Sequence, residues 1–114
     1  MPVTETTLDP EDSKIITLAR AARARNGTAE GAAVRDETGR TYTATSVDLP
    51  SLKLSAVQVA VAMAVSSGAV SLEAAALVSE AQEPGDPDIA VVQDLGNAVI
   101  FLAGPDGTVK GRYI

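Results

Sequence analysis

The stretch LKLSAVQVAVAMAVSS, Leu52–Ser67, decides the fold. Ser55 followed three residues later by Gln58 is a capping box, in which each side chain satisfies a backbone N–H left open by the first helical turn. A helix is therefore expected to begin at Ser55, to run to Ser66 or Ser67 and to stop at Gly68. Within it Ala56, Ala60 and Ala64 recur every four residues beside Val57, Val61 and Val65, so a ridge of small side chains lies next to a β-branched one around most of the cylinder. An apolar run of about ten to fourteen residues is too short to span hydrocarbon and belongs in a core. One face can meet a sheet, and the opposite face needs a second cover. A second copy of the chain would supply it, which predicts a homo-oligomer, dimer or tetramer, joined through helix Ser55–Ser67.

Upstream, AEGAAVRDETGRTYTATSVD holds two β-compatible runs, Ala29–Arg35 and Thr41–Val47, on either side of Asp36-Glu37-Thr38-Gly39, which is turn chemistry. A hairpin is expected, with Pro50 ending its second strand and opening a short loop to Lys53. Before the hairpin, Asp9 reads as an N-cap, Pro10 as a first helical residue, and Glu11 and Asp12 as acids placed at the positive end of the helix dipole. Ile15, Ile16, Leu18, Ala19 and Ala22 form the apolar stripe of that helix, Arg20, Arg23 and Arg25 crowd its negative end, and Asn26-Gly27 stops it. Residues 1–8 are polar and are expected to form a flexible N-terminal segment ahead of a single domain over residues 9–114.

Downstream, VSLEAAALVSEAQ is ambiguous: propensity favours a helix, and its place between two helices favours a crossover strand over Ala74–Ser79. EPGDPD is a loop from which Asp86 as cap and Pro87 as first residue start a helix to about Leu95, closed by Gly96-Asn97. AVIFLA has the form of a central strand, and GPDG turns into a last strand, Thr108–Tyr113. This order of elements predicts a mixed sheet with helices on both faces, a three-layer α/β/α domain.

Composition narrows the chemistry. The chain has no cysteine and no histidine, which removes disulfides, thiol and imidazole chemistry and the usual soft ligands for zinc. A net charge of −6 disfavours nucleic acid and an anionic membrane as partners, and with no charged-then-apolar leader the expected setting is the cytoplasm. The arginines of the first helix read as dipole complements on a solvated face. The Ala, Val, Gly, Asp and Arg bias, with three lysines, fits a GC-rich bacterial genome. Only three residues are aromatic, Tyr42, Phe101 and Tyr113, so the core must be built from Ala, Val, Leu and Ile.

With these elements in place, GAAVRDETGRTYTATSVD, the helix ending in AVSSG, the proline-started helix and AVIFLAGPDG together resemble the small cytidine deaminases over about residues 13–110. In that family a VGAAL…DGxxYxGxNxEN hairpin is followed by a CAE helix ending in AVSEG, then by PCxxC, a strand and an xDG turn. The resemblance implies a five-stranded mixed sheet, and it implies a strand rather than a helix at Ala74–Ser79. It also places Ser55 on the first zinc cysteine, Ala56 on the alanine and Val57 on the catalytic glutamate. Pro87 takes the proline of PCxxC, leaving Asp88 and Val91 on its two cysteines. The family chemistry needs three protein ligands to turn a zinc-bound water into hydroxide, and a carboxylate to carry its proton to the leaving amine. Ser55, Asp88 and Val91 offer no such ligand set, and Val57 carries no proton. The resemblance thus implies a degenerate member with no catalytic residue, no metal and no cofactor. The nucleoside-binding NxE of the family falls on Ser46-Val47-Asp48, which makes Ser46 and Asp48 candidate ligand-binding residues, while the phenylalanine before its VGAA falls on Thr28.

Each of these residues also has a plain reading. Ser55 is a helix cap rather than a nucleophile, and Val57 is core. Asp88 with Glu83 and Asp86 holds the donors for a hard cation such as magnesium, but acids spaced through a Pro/Gly loop read as turn and cap residues. GPDGTVKG lacks the spacing of a phosphate loop. Three functions follow in order: an inactive deaminase-like protein acting as a homo-oligomeric scaffold or regulatory partner, a module binding a nucleoside or nucleotide in the remnant pocket, and an enzyme of non-zinc, acid-assisted hydrolysis through Asp86, Asp88 or Asp48.

Overall fold

The computed structural model of the protein describes residues 8–114. Helix α1, Pro10–Asn26, starts where the Asp9 carboxylate accepts the Glu11 N–H at 2.8 Å and ends where Gly27 turns left-handed (φ 64°) with its N–H on the Arg23 carbonyl. Residues 1–7 of the expected N-terminal segment lie outside the described residues, whereas Leu8 packs against the core beneath α1.

Strands β1 (Gly31–Asp36) and β2 (Thr41–Thr45) pair antiparallel with Val34 opposite Tyr42, giving the expected hairpin. Its turn is built on Asp36. One carboxylate oxygen accepts the Thr38 N–H, the Thr38 hydroxyl and the Arg40 N–H at 2.7–3.0 Å, and the other accepts the Tyr42 hydroxyl at 2.9 Å. Burial alone would raise this carboxyl, but the bonds from Thr38, Tyr42 and Arg40 outweigh it and hold Asp36 below the usual carboxylate range. A carboxyl whose pKa is lower folded than unfolded adds stability above the unfolded value and loses it as pH falls through the folded one. Unfolding temperature is therefore expected to drop as pH goes below about 4, the unfolded carboxylate range, and Asp36→Asn should flatten that drop. Parallel melting curves for the two proteins between neutral pH and pH 3 would remove the turn from this account.

The segment after β2 differs from the sequence expectation. Val47 does not extend β2: Val47–Leu49 (β3) pairs antiparallel with Leu52–Leu54 (β4), and Pro50 and Ser51 form the turn of this second, two-stranded sheet where a loop was expected. Both strands are mostly exposed, so no hydrophobic alternation announces them. Helix α2, Ala56–Ser66, follows directly, with both capping-box bonds formed: the Ser55 N–H donates to the Gln58 side chain at 2.9 Å and the Gln58 N–H to Ser55 Oγ at 3.1 Å.

The ambiguous Ala-rich segment is strand β5, Leu72–Val78. Helix α3, Asp86–Gln93, is capped by the Gly85 backbone with no side-chain bond, so Asp86 is the first helical residue and not the cap. Strands β6 (Val99–Ala103) and β7 (Val109–Tyr113) complete a five-stranded sheet of order β2-β1-β5-β6-β7, in which β5 and β6 run parallel and the other pairs antiparallel.

Two cores sandwich this sheet. Ile15, Ile16 and Ala19 of α1 cover Ala33, Ala74, Ala76, Val78 and Phe101 on one face. Ala56, Val57, Ala60, Val61 and Ala64 of α2 and Val92 of α3 cover Val34, Ala75, Leu77, Ile100 and Leu102 on the other. Side chains alternate between the two faces from Ala74 to Val78, with Ala75 and Leu77 on the α2 side and Ala74, Ala76 and Val78 on the α1 side, and the register shift opposite Arg35 and Asp36 brings Leu72 to the α2 side as well. Alanine at five positions along β5 and β1 lets both helix layers approach the sheet closely. The result is the three-layer α/β/α sandwich. Among the described residues no helix is long and apolar enough to cross a membrane.

Candidate functional site

The N-termini of α2 and α3 meet. Ser55, the cap of α2, is delivered by β4; Asp88, the third residue of α3, is delivered by the crossover from β5. The Ser55 hydroxyl donates to the Asp88 carboxylate while its oxygen accepts the Gln58 N–H. Asp88 is only 3% exposed, and none of the ion pairs among the described residues involves it. Of the positions singled out in the sequence, Ser55 and Asp88 are thus brought into contact across 33 residues of chain. Val57 is fully buried in the core under α2, and Val91 packs half-buried against that same core.

Neither candidate ligand residue is a partner in this bond. Asp48 is an exposed residue of β3 whose carboxylate accepts from Lys53 Nζ at 2.5 Å, across the small hairpin in which the two residues are register partners. Ser46 is half-buried between β2 and β3.

Two groups of residues at this site gave no sequence signal. Glu30, a lone acid just before β1, sends a carboxylate oxygen 3.2 Å from the Ala56 N–H, the first helical N–H of α2. Lys110 and Tyr113 on β7 hold the loop that leads into α3: Lys110 Nζ donates to the carbonyls of Ser79 (3.0 Å) and Ala81 (2.6 Å), and the Tyr113 hydroxyl to that of Gln82 (3.2 Å). Each of these contacts joins residues far apart in the chain, where periodicity and local spacing carry no information.

The donor set does not fit a catalytic zinc. Ser55 and Asp88 are turned onto one another, Val57 and Val91 hold no donor atom, and among the described residues no three acidic side chains converge, so Glu83 and Asp86 do not join Asp88 in a cation site either.

What the site adjoins is apolar. The outer side of α2 carries a shallow depression of about 370 Å³ lined by Tyr42, Leu54, Val59, Ala62, Met63 and Ser66–Ser67. Met63 is 41% and Val65 50% exposed on that helix, and Leu49 and Leu52 are exposed on the small hairpin.

A five-stranded mixed sheet between helix layers, with two helix N-termini meeting above one face, defines a deaminase-type α/β/α domain. A family model described as cytidine deaminase-like matches residues 8–107, and the chain belongs to the cytidine deaminase-like family. Among solved structures it is similar to the cytidine deaminase from Burkholderia pseudomallei, with 24% identity, 88% of this chain and 89% of that one covered, and a TM-score of 0.76. It is likewise similar to the cytidine deaminase from Mycobacterium leprae, with 24% identity, 92% and 93% covered and a TM-score of 0.72. A mutant cytidine deaminase from Mycobacterium tuberculosis shares 26% identity, with 82% and 85% covered and a TM-score of 0.68. No curated protein matches the chain.

Proposed function

We propose that this chain is a cytidine deaminase-like protein that does not deaminate, and that it acts as a homo-oligomeric scaffold or regulatory partner in a bacterial cytoplasm. The observation that carries this reading is the pairing of an inert interior with an apolar exterior on one helix. On its inner side α2 presents Val57 where the family pattern calls for a proton carrier; on its outer side Val59, Ala62, Met63 and Val65 are left half-buried or exposed. An apolar helix face of this kind is stabilised by covering it, and each fully buried aliphatic side chain contributes about 1.5–3 kcal/mol. A second copy of the chain is the occupant proposed for it.

Sedimentation is expected to give a dimer or larger species at micromolar concentration. Val65→Glu should shift it to monomer, lower the unfolding temperature by the stabilisation the partner supplied, and remove the dependence of that temperature on protein concentration. A wild-type monomer at that concentration would end the proposal. Incubation with cytidine should release no ammonia; release above background would show that the protein is an enzyme.

A further inference from the structure

The geometry points to a metal-free clasp: the Ser55–Asp88 bond, with Glu30 beside it, does in this chain the joining work that zinc does in the family pattern. It rests on the non-deaminating reading above. In the family pattern the ligands come from the starts of both helices, so one cation ties α2 to α3. Here those same starts are tied by a hydrogen bond between their own side chains, Ser55 at the cap of α2 and Asp88 at the third position of α3.

The electrostatics favour this arrangement. A helix N-terminus presents unpaired N–H groups and a partial positive charge, and two of them meeting would repel. A cation placed between them would need anionic ligands to be tolerated at all. Without the cation, two carboxylates suffice: Glu30 accepts the Ala56 N–H at the start of α2, and Asp88, nearly without exposure, sits in the first turn of α3 while accepting from the cap of α2. Among the described residues no Lys or Arg forms an ion pair with Asp88, so the helix ends themselves are its positive partner. Val91, one turn further along α3, adds apolar packing where a third ligand would be needed.

Thermal unfolding of the full chain tests this. Excess EDTA and excess zinc chloride should each leave the wild-type unfolding temperature unchanged. Ser55→Ala and Asp88→Ala should each lower it, the second by about 10 °C, the shift expected in a domain of this size when a buried hydrogen bond to a charged group is lost. Ser55 also caps α2, so the single substitutions do not isolate the bond; the double variant does. It should lose clearly less than the sum of the two single losses. If Asp88→Ala does not fold, Asp88→Asn replaces it in the cycle. Strictly additive losses, with no zinc effect, would overturn the clasp and leave the non-deaminating reading standing. A rise in unfolding temperature with zinc, or a fall with EDTA, would overturn the clasp, whereas ammonia release from cytidine would overturn the other reading.

Discussion

Val57→Glu, which would introduce the glutamate that the resemblance implies for this position, is expected to destroy cooperative folding without creating activity. The Val57 side chain is fully buried between α2 and the sheet, in the core that also holds Val34, Ala75 and Leu77. Among the described residues no ion pair involves a residue of that core, and a fully buried carboxylate would have no water to replace one. An uncompensated buried charge costs several kcal/mol even after the structure relaxes, and a neutral acid still loses its hydrogen bonds to water. The longer side chain adds overpacking of about 1–3 kcal/mol. Against a total stability of about 5–15 kcal/mol for a domain, the sum is most or all of the margin. Val57→Ala is the control: it removes two methyl groups, leaves a small cavity and should cost about 2 kcal/mol. Urea titration separates the two, since the alanine variant should shift its midpoint at constant slope and the glutamate variant should show no folded baseline. A glutamate variant with the wild-type midpoint would mean that position 57 opens onto solvent, and the site would have to be read again as a pocket.

Gly31→Ala should be nearly as damaging, for a reason unrelated to chemistry at the site. Gly31 opens β1 directly beneath α1, and a Cβ at this position would lie 2.1 Å from the Ala19 carbonyl oxygen and 2.9 Å from the Arg23 Cβ. Both obstacles belong to the helix itself, so no flexible side-chain end can swing away. The helix must lift, and with it the contact of Ile15, Ile16 and Ala19 on the sheet. Overpacking of this kind costs about 3 kcal/mol where backbone has to move. The expected result is a fall in unfolding temperature of roughly 12 °C, at about 4 °C per kcal/mol for a domain of this size. Gly39→Ala, in the exposed hairpin turn at φ 89°, meets no atom and should cost about 1–2 kcal/mol, the left-handed backbone penalty alone. Equal losses at the two positions would show that α1 does not rest on β1 as described.

The two glycines mark how far local reading reaches. At Gly39 the turn chemistry of Asp36-Glu37-Thr38-Gly39 announces a left-handed residue, whereas nothing around Gly31 announces the helix that closes over it. The same division runs through the elements. The caps at Asp9 and Ser55, the stops at Gly27 and Gly68 and the first hairpin were legible because each is an interaction between residues a few positions apart. Strand β5 was not legible from propensity, since LEAAALV is good helix sequence, and the resemblance to the deaminases was needed to read it as a strand. It is extended because β1 and β6 flank it and α1 and α2 press on its two faces, so its alanines serve close packing. The hairpin β3–β4 went unread because exposed three-residue strands leave no hydrophobic pattern.

The candidate site divides in the same way. Ser55 as a cap and Val57 as core could be read from the chain, and the placing of Ser55, Val57, Asp88 and Val91 on one family site came from the resemblance. That Ser55 bonds to Asp88, that Glu30 reaches the start of α2, and that Lys110 and Tyr113 brace the loop before α3 came only from the folded chain. Sequence by itself determined where helices start and stop and which residue types are lacking, because capping and donor chemistry are local properties. Tertiary structure alone decided what fills the interior of the site and what stays uncovered outside it, because burial and pairing depend on segments that meet only after the sheet has assembled.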